Sequence, residues 1–162
     1  MPSISVKASE TSISLLTIRE LPEASVINRK ALRHLGPNPV SVDLNFRVVP
    51  DLEQSTVSVI VTCSYTSIIE YIRTRLLVCP VLATFEVENL KEHVSISGSD
   101  AILGSRLMMI VLGVAIGSLR GIIAVRSAGT RLEKYPLPLV DLSMLMHRLN
   151  YDEDAPSHIF RI

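Results

Sequence analysis

Between Ala101 and Ser127 the chain is apolar almost all the way round a helical wheel, and the only charges in that span are Arg106, Arg120 and Arg126. A helix with no polar face must be covered on more than one side. One β-sheet covers one side, so the rest calls for a second layer or a second subunit. Gly113, Gly117 and Gly121 recur at every fourth position along one flank. Each costs about 1 kcal/mol relative to Ala in a helix interior, so something must offset them. Either another element approaches the helix backbone closely at these glycines, or the helix breaks near Gly117 or Gly121. The Ser97–Asp100 run offers N-cap oxygens before Ala101, and Gly129 stands where a left-handed residue closes a helix. The uncharged stretch Leu107–Leu119 is only 13 residues long. A bilayer span needs about 20, so the helix is expected in a protein interior and not across a membrane.

Upstream the pattern is that of strands. Val42, Leu44, Phe46 and Val48 alternate with polar residues, as do Val57, Val59, Val61, Cys63 and Tyr65 after a turn at Pro50-Asp51. Period two marks half-buried strands. Residues 66–73 read as a connection, and Arg75–Glu88 as a third strand, placed at an edge or bulged because Pro80 lies inside it. Ser12–Ile18 supplies a first strand, and Glu23–Leu35 has helical spacing up to the breakers Gly36-Pro37-Asn38-Pro39. After the long helix come an extended Pro136–Leu139 segment and a short helix over Asp141–Leu149. The expected fold is α+β: a four-stranded antiparallel sheet followed by one long helix and a shorter C-terminal helix. It forms a single domain over 1–150, with 19–40 as an insertion or irregular segment and 151–162 as a mobile tail.

No catalytic constellation emerges. His34, His93, His147 and His158 are scattered without zinc spacing, and neither cysteine belongs to a C-x-x-C. Gly117-Ser118-Leu119-Arg120-Gly121 puts its Ser second, where a nucleophile elbow needs it in the middle. No metal, cofactor or enzymatic activity is expected. Lys plus Arg balance Asp plus Glu at 16 each and aromatics are 4%, so the basic footprint and stacking surface of a nucleic-acid binder are both missing. Apolar types make up 48% of 162 residues, with mean hydropathy +0.37. One small domain leaves much of its surface in water, so a subunit interface or a client groove is the natural place for the surplus. Cys63 and Cys79 lie in apolar runs and read as reduced small hydrophobes, although a hairpin bringing their strands together would also allow a disulfide. Met1–Glu10 has no apolar leader core, so the cytoplasm is the expected compartment.

The run from Ser118 to Leu145 carries a family resemblance. Ser118-Leu119-Arg120-Gly121-Ile122-Ile123, then Gly129-Thr130, then Leu137-Pro138-Leu139-Val140-Asp141 resembles the closing part of SecB-like proteins, whose helix ends in an Arg-Gly-Ile type motif. The resemblance implies the same order of elements over about 41–149, a homotetramer built as a dimer of dimers, and a chaperone that holds non-native or extended polypeptide on apolar grooves. Two features depart from it: no Phe-Pro-Tyr element precedes Arg120, and the chain is neutral where the export chaperones are acidic, so the export motor does not follow as a partner. On this reading Val42, Leu44, Phe46, Val78, Leu82 and Phe85 are the client-binding residues. Gly113, Gly117, Gly121, Arg106 and Arg120 form a helix-packing or oligomer interface. The alternative is a structural or regulatory module that uses the same fold for one specific folded partner. Arg106 and Arg120 share a helix face with no acidic residue between Ala101 and Leu132. Partners for Arg120 are therefore expected from Glu86, Glu88, the carbonyls of Pro136–Leu139, or another chain.

Overall fold

The computed structural model describes residues 11–98, 100–151 and 158–161. Strands β1 (Ile13–Glu20), β2 (Val26–Ile27), β3 (Val40–Asp51), β4 (Thr56–Ile69), β5 (Ile72–Val87) and β8 (His158–Arg161) form one six-stranded sheet. Its order is β1-β5-β4-β3-β8, with β2 continuing along β5 beyond β1, and every pairing is antiparallel. Strands β6 (Val94–Ser97) and β7 (Asp100–Leu103) make a separate hairpin. Helices are α1 (Arg29–Arg33), α2 (Ser105–Ser127) and α3 (Leu142–Tyr151). The expected α+β class is present: β1, β3, β4 and β5 are the four antiparallel strands, α2 is the long helix and α3 the shorter one.

One sheet face is the core. Val57, Val59, Val61, Cys63 and Tyr65 on β4, with Cys79, Val81, Ala83 and Val87 on β5, are completely buried. Against them α2 sets Leu107, Val111, Leu112, Ala115, Ile116, Leu119 and Ile123. These positions recur at three- and four-residue steps, so one stripe of α2 meets one face of a period-two surface. Leu32 and Leu35 from the α1 region, Leu132 and Leu137 after α2, and Leu145 and Met146 of α3 complete the cluster.

The structure corrects several boundaries. The connection expected at 66–73 is not a loop: β4 runs to Ile69, β5 starts at Ile72, and only Glu70 and Tyr71 turn the chain, with φ of 50° and 67°. Positive φ at both central residues is the hairpin turn that matches strand twist, but it is made without Gly or Asn, so no turn signal was visible. β3 continues through Pro50 to Asp51, and the turn falls at 52–55. The Ser97–Asp100 run does not cap the long helix: it ends β6 and begins β7, and α2 starts at Ser105 after Gly104. Helical spacing over Glu23–Leu35 yields only the single turn of α1, capped by the Asn28 side chain (Ala31 N–H to Oδ1, 2.9 Å), because Val26 and Ile27 pair with β5 instead.

Pro80 lies in an inner strand, not at an edge, and the β4/β5 bulge is elsewhere, between Tyr65 and Thr66. Its carbonyl accepts from Leu21 N–H at 2.9 Å, so its nitrogen faces the side where β1 has ended and β2 has not begun. The missing donor thus falls in a gap. The helix does not break at Gly117 or Gly121. Of the segment expected as a tail, His158–Arg161 pairs with β3. Residues 152–157 and Met1–Glu10 lie outside the described residues.

Cys63 and Cys79 stand directly opposite each other across β4 and β5 as free, buried thiols. Burial pushes each up to about 12, leaving almost no thiolate at neutral pH. A thiol reagent at neutral pH should therefore modify neither in the folded protein and both after denaturation without reductant. Fast labelling of the folded protein, or no free thiol after denaturation, would contradict this arrangement.

Candidate interaction surfaces

The residues expected to hold a client do not form one surface. Val42, Leu44, Phe46 and Phe85 project to the same side as α2 and are buried in the core, because the alternation that makes these strands legible also turns their apolar side chains inward. Val78 and Leu82 are on the opposite face, half-buried. There the register aligns Arg47, Ile60, Leu82 and Arg19 in one row across four strands. A row nearer β2 aligns Asp43, Ser64, Val78 and Val26. This face is mixed, with isolated apolar side chains between Ser, Thr and Arg.

The outer side of α2 is different. Ile110, Val114 and Val125 are exposed there at 40%, 38% and 77%, and Gly117, Gly121 and Ala124 are also open. Met144 and Leu139 extend the apolar surface at 57% and 89% exposure. The three glycines are not equivalent. A Cβ at Gly113 would meet Leu142 Cδ1 at 3.3 Å, so α3 packs closely there, but a Cβ at Gly117 or Gly121 would meet nothing within 4 Å. Among the described residues, then, two of the three have no packing reason to be Gly. Length and composition alone would let α2 cross a bilayer, with a hydropathy of 2.2 over its most apolar window. The short uncharged run is therefore not the feature that separates a span from a core helix. The side of α2 buried on the sheet is what a core helix shows.

Arg106 is exposed at the start of α2. Arg120 turns away from the outer stripe and donates from Nε to the Leu137 carbonyl at 3.3 Å and from Nη2 to the Pro138 carbonyl at 3.0 Å. Glu86 and Glu88 take no part. Leu137, buried at 3% exposure, anchors the extended segment beneath this clasp, and the Tyr65 hydroxyl donates to the Tyr135 carbonyl at 2.9 Å. Asp141 then caps α3 by accepting from Met144 N–H at 3.0 Å.

Sequence reading missed the corner where α2 ends. Glu20, at the end of β1, accepts from Arg126 Nη2 and Nε at 2.6 and 3.0 Å and from the Ser25 hydroxyl at 2.8 Å. Burial works to raise the Glu20 carboxyl, but these hydrogen bonds and the Arg126 charge outweigh it and hold it below its ordinary value. The pair itself lines an open groove of about 680 Å³, together with Ile27, Arg29, Ser118, Gly121, Ile122, Val125 and Ala128. The pair is 106 residues apart in sequence, so no local spacing announces it. Among the described residues no three of His, Cys, Asp or Glu gather as a metal site.

No protein-family model matches the chain, and no curated protein matches it. Among solved structures it is similar to a SecB-like chaperone of Mycobacterium tuberculosis, solved in complex with a ChAD peptide from an antitoxin. Identity is 15%, the match covers 83% of this chain and 91% of that one, and the TM-score is 0.40.

Two outcomes follow from this geometry. Replacing Arg120 with Met keeps the apolar stem and removes both carbonyl bonds. It should cost about 1–3 kcal/mol, read from denaturant unfolding, since each bond to a charged donor is worth about that much. Glu20→Gln tests the ion pair. Because the folded carboxyl sits below its unfolded value, its stabilisation is present above the unfolded value and lost as pH falls through the folded one. Wild type should melt above Glu20→Gln at neutral pH, and the difference should shrink and disappear as pH falls through the lowered value of the folded carboxyl.

Proposed function

We propose that this protein is a non-enzymatic, self-associating binding protein that holds non-native or extended polypeptide, in the manner the SecB-like resemblance implies, and that it works in the cytoplasm. The observation that carries the reading is the outer side of α2. Two glycines in the middle of an unbroken helix cost about 2 kcal/mol together, yet among the described residues nothing lies within 4 Å of a Cβ placed at either. The gain that offsets them must come from outside. Ile110, Val114 and Val125 flank them, and between Arg106 and Arg126 the one charge, Arg120, is clasped to the Leu-Pro carbonyls. An uncharged, glycine-stepped helix face lets a second helix backbone come close and bury the flanking side chains, which fits another copy of α2 across a two-fold axis. Closed assembly of this kind, a dimer of dimers included, would place the mixed outer sheet faces with Val78 and Leu82 on the outside, available to extended chain.

Gly117→Arg tests this directly. A Cβ at 117 meets nothing within 4 Å among the described residues and the position is exposed, so the variant should fold with at least wild-type helicity but scatter light as a smaller species. Wild type should be larger than a monomer at micromolar concentration and should slow the aggregation of unrelated unfolding proteins. A wild-type monomer, or an unchanged mass for Gly117→Arg, would sink the assembly. An oligomer that protects no unfolded protein but captures one folded partner would favour the specific interaction module instead.

A further inference from the structure

The β4–β5 hairpin is longer than the strands beside it. β3 begins at Val40, opposite Ser67, and β2 ends at Ile27, opposite Leu77. The last two pairs, Ile68 with Arg73 and Ile69 with Ile72, therefore have no third strand beside them among the described residues, and the tip stands clear of the sheet. Its apex is apolar: Tyr71 is wholly exposed, and Ile68 and Ile72 are exposed at 61% and 67%. The turn holds Glu70 and Tyr71 at φ of 50° and 67°, a conformation that Asn and Gly adopt with less strain. Backbone strain kept where Gly would remove it points to a use for the side chains. The base of the tip is basic. Between Ile27 and Val40 the chain crosses from one side of the hairpin to the other, tied by the Asn28 N–H to the Leu76 carbonyl at 2.9 Å and by the Ser67 hydroxyl to the Pro39 carbonyl at 2.7 Å. α1 lies on this crossing and packs against β5. Exposed Arg29, Lys30 and Arg33 thus join exposed Arg73 and Arg75 at one end of the molecule. Arg73 reaches Asp43 at 3.6 Å, and the other four make no ion pair among the described residues.

We propose that this hairpin tip is a membrane-docking element that inserts its apolar apex into the surface of an anionic bilayer. The inference is separate from the polypeptide-holding reading, since the tip shares no residue with the outer side of α2. A convex apolar apex needs no preformed pocket opposite it, only a deformable apolar layer. Tyr suits the depth at which that layer meets water. Arg73 and Arg75 lie two and four residues past Tyr71, about 7 and 13 Å along an extended strand. Lipid phosphates stand at that level when an apolar segment sinks about 5–10 Å into the interface. The three cations of α1 add to the attraction for anionic headgroups. A few apolar side chains alone hold a bilayer weakly, so insertion and charge have to act together. Glu70 is the one acid in the tip and opposes docking on anionic lipid, so its removal is a direct test.

The test uses the full chain and co-sedimentation with vesicles of phosphatidylcholine, alone or mixed equally with phosphatidylserine. Wild type should bind the mixed vesicles about tenfold more tightly than the neutral ones, and added salt should remove most of the difference. Tyr71→Gly should lower binding to the mixed vesicles about tenfold, while melting at or above wild type because Gly relieves the positive φ. Arg73→Glu combined with Arg75→Glu should abolish the preference for phosphatidylserine, with unfolding curves confirming that the double variant is folded. Lys91→Glu, an exposed charge change past the far end of β5, should leave the preference intact. Glu70→Gln should tighten binding to the mixed vesicles. Wild type that ignores both kinds of vesicle overturns the inference and leaves the tip to a protein partner. So does binding that survives Tyr71→Gly, or that weakens in Glu70→Gln. A changed oligomeric mass for Tyr71→Gly makes the tip a contact between copies and overturns the inference as well. Each of these outcomes leaves the polypeptide reading standing.

Discussion

The contact between α2 and one face of the sheet is the interaction on which the rest of the molecule depends. β4 and β5 present an unbroken row of fully buried Val, Cys, Ala and Tyr side chains, and α2 is the element long enough to cover it. Dispersion and the removal of apolar area from water both scale with that coverage. Everything else is arranged around the pair: β1 and β3 widen the sheet, and the Leu132–Leu137 segment and α3 close the cluster beside the helix. Cys63 and Cys79 are part of this packing, two opposed thiols buried as small hydrophobes.

A helix covering a sheet still has a second side. In α2 that side is neither polar, as on a helix facing water, nor shielded by a third layer. Only Gly113 is accounted for inside the chain, by Leu142 of α3. Nothing among the described residues offsets the helix propensity sacrificed at Gly117 and Gly121.

Irregular backbone is held by few, well-aimed bonds. Pro136–Leu139 has no ladder, and the Arg120 guanidinium substitutes for one by taking the Leu137 and Pro138 carbonyls. Arginine suits this position because its donors form a fixed fork and its stem tolerates apolar surroundings. At the other margin of the helix, Arg126 and Glu20 fasten α2 to the end of β1. Of these two arginines, one keeps the segment after α2 in place, and the other keeps the helix end against the sheet.

What could be read in the residues was what local periodicity encodes. The alternation of β3 and β4, the long apolar helix, the Leu-Pro segment and the short helix after Asp141 are all carried by neighbours in sequence, as is the oddity of the three glycines. Several features have no local signal. The Glu70-Tyr71 turn uses residues that rarely adopt positive φ, so it looked like a loop. The β6–β7 hairpin has strands too short for period two to stand out. Pro80 sits safely in a central strand only because two other strands leave a gap opposite it. Alternation showed that Val42, Leu44 and Phe46 share a side with one another, but not which side faces the helix, and burial under the cluster decided that they are core and not client surface. The Glu20–Arg126 corner was invisible for the same reason: its two partners are 106 residues apart in the chain. Sequence by itself determined the long strands, the long helix and the need to cover it, because these follow from the period of neighbouring side chains. Only the tertiary structure decided which faces are spent inside the molecule and which remain, because that depends on contacts between residues far apart along the chain.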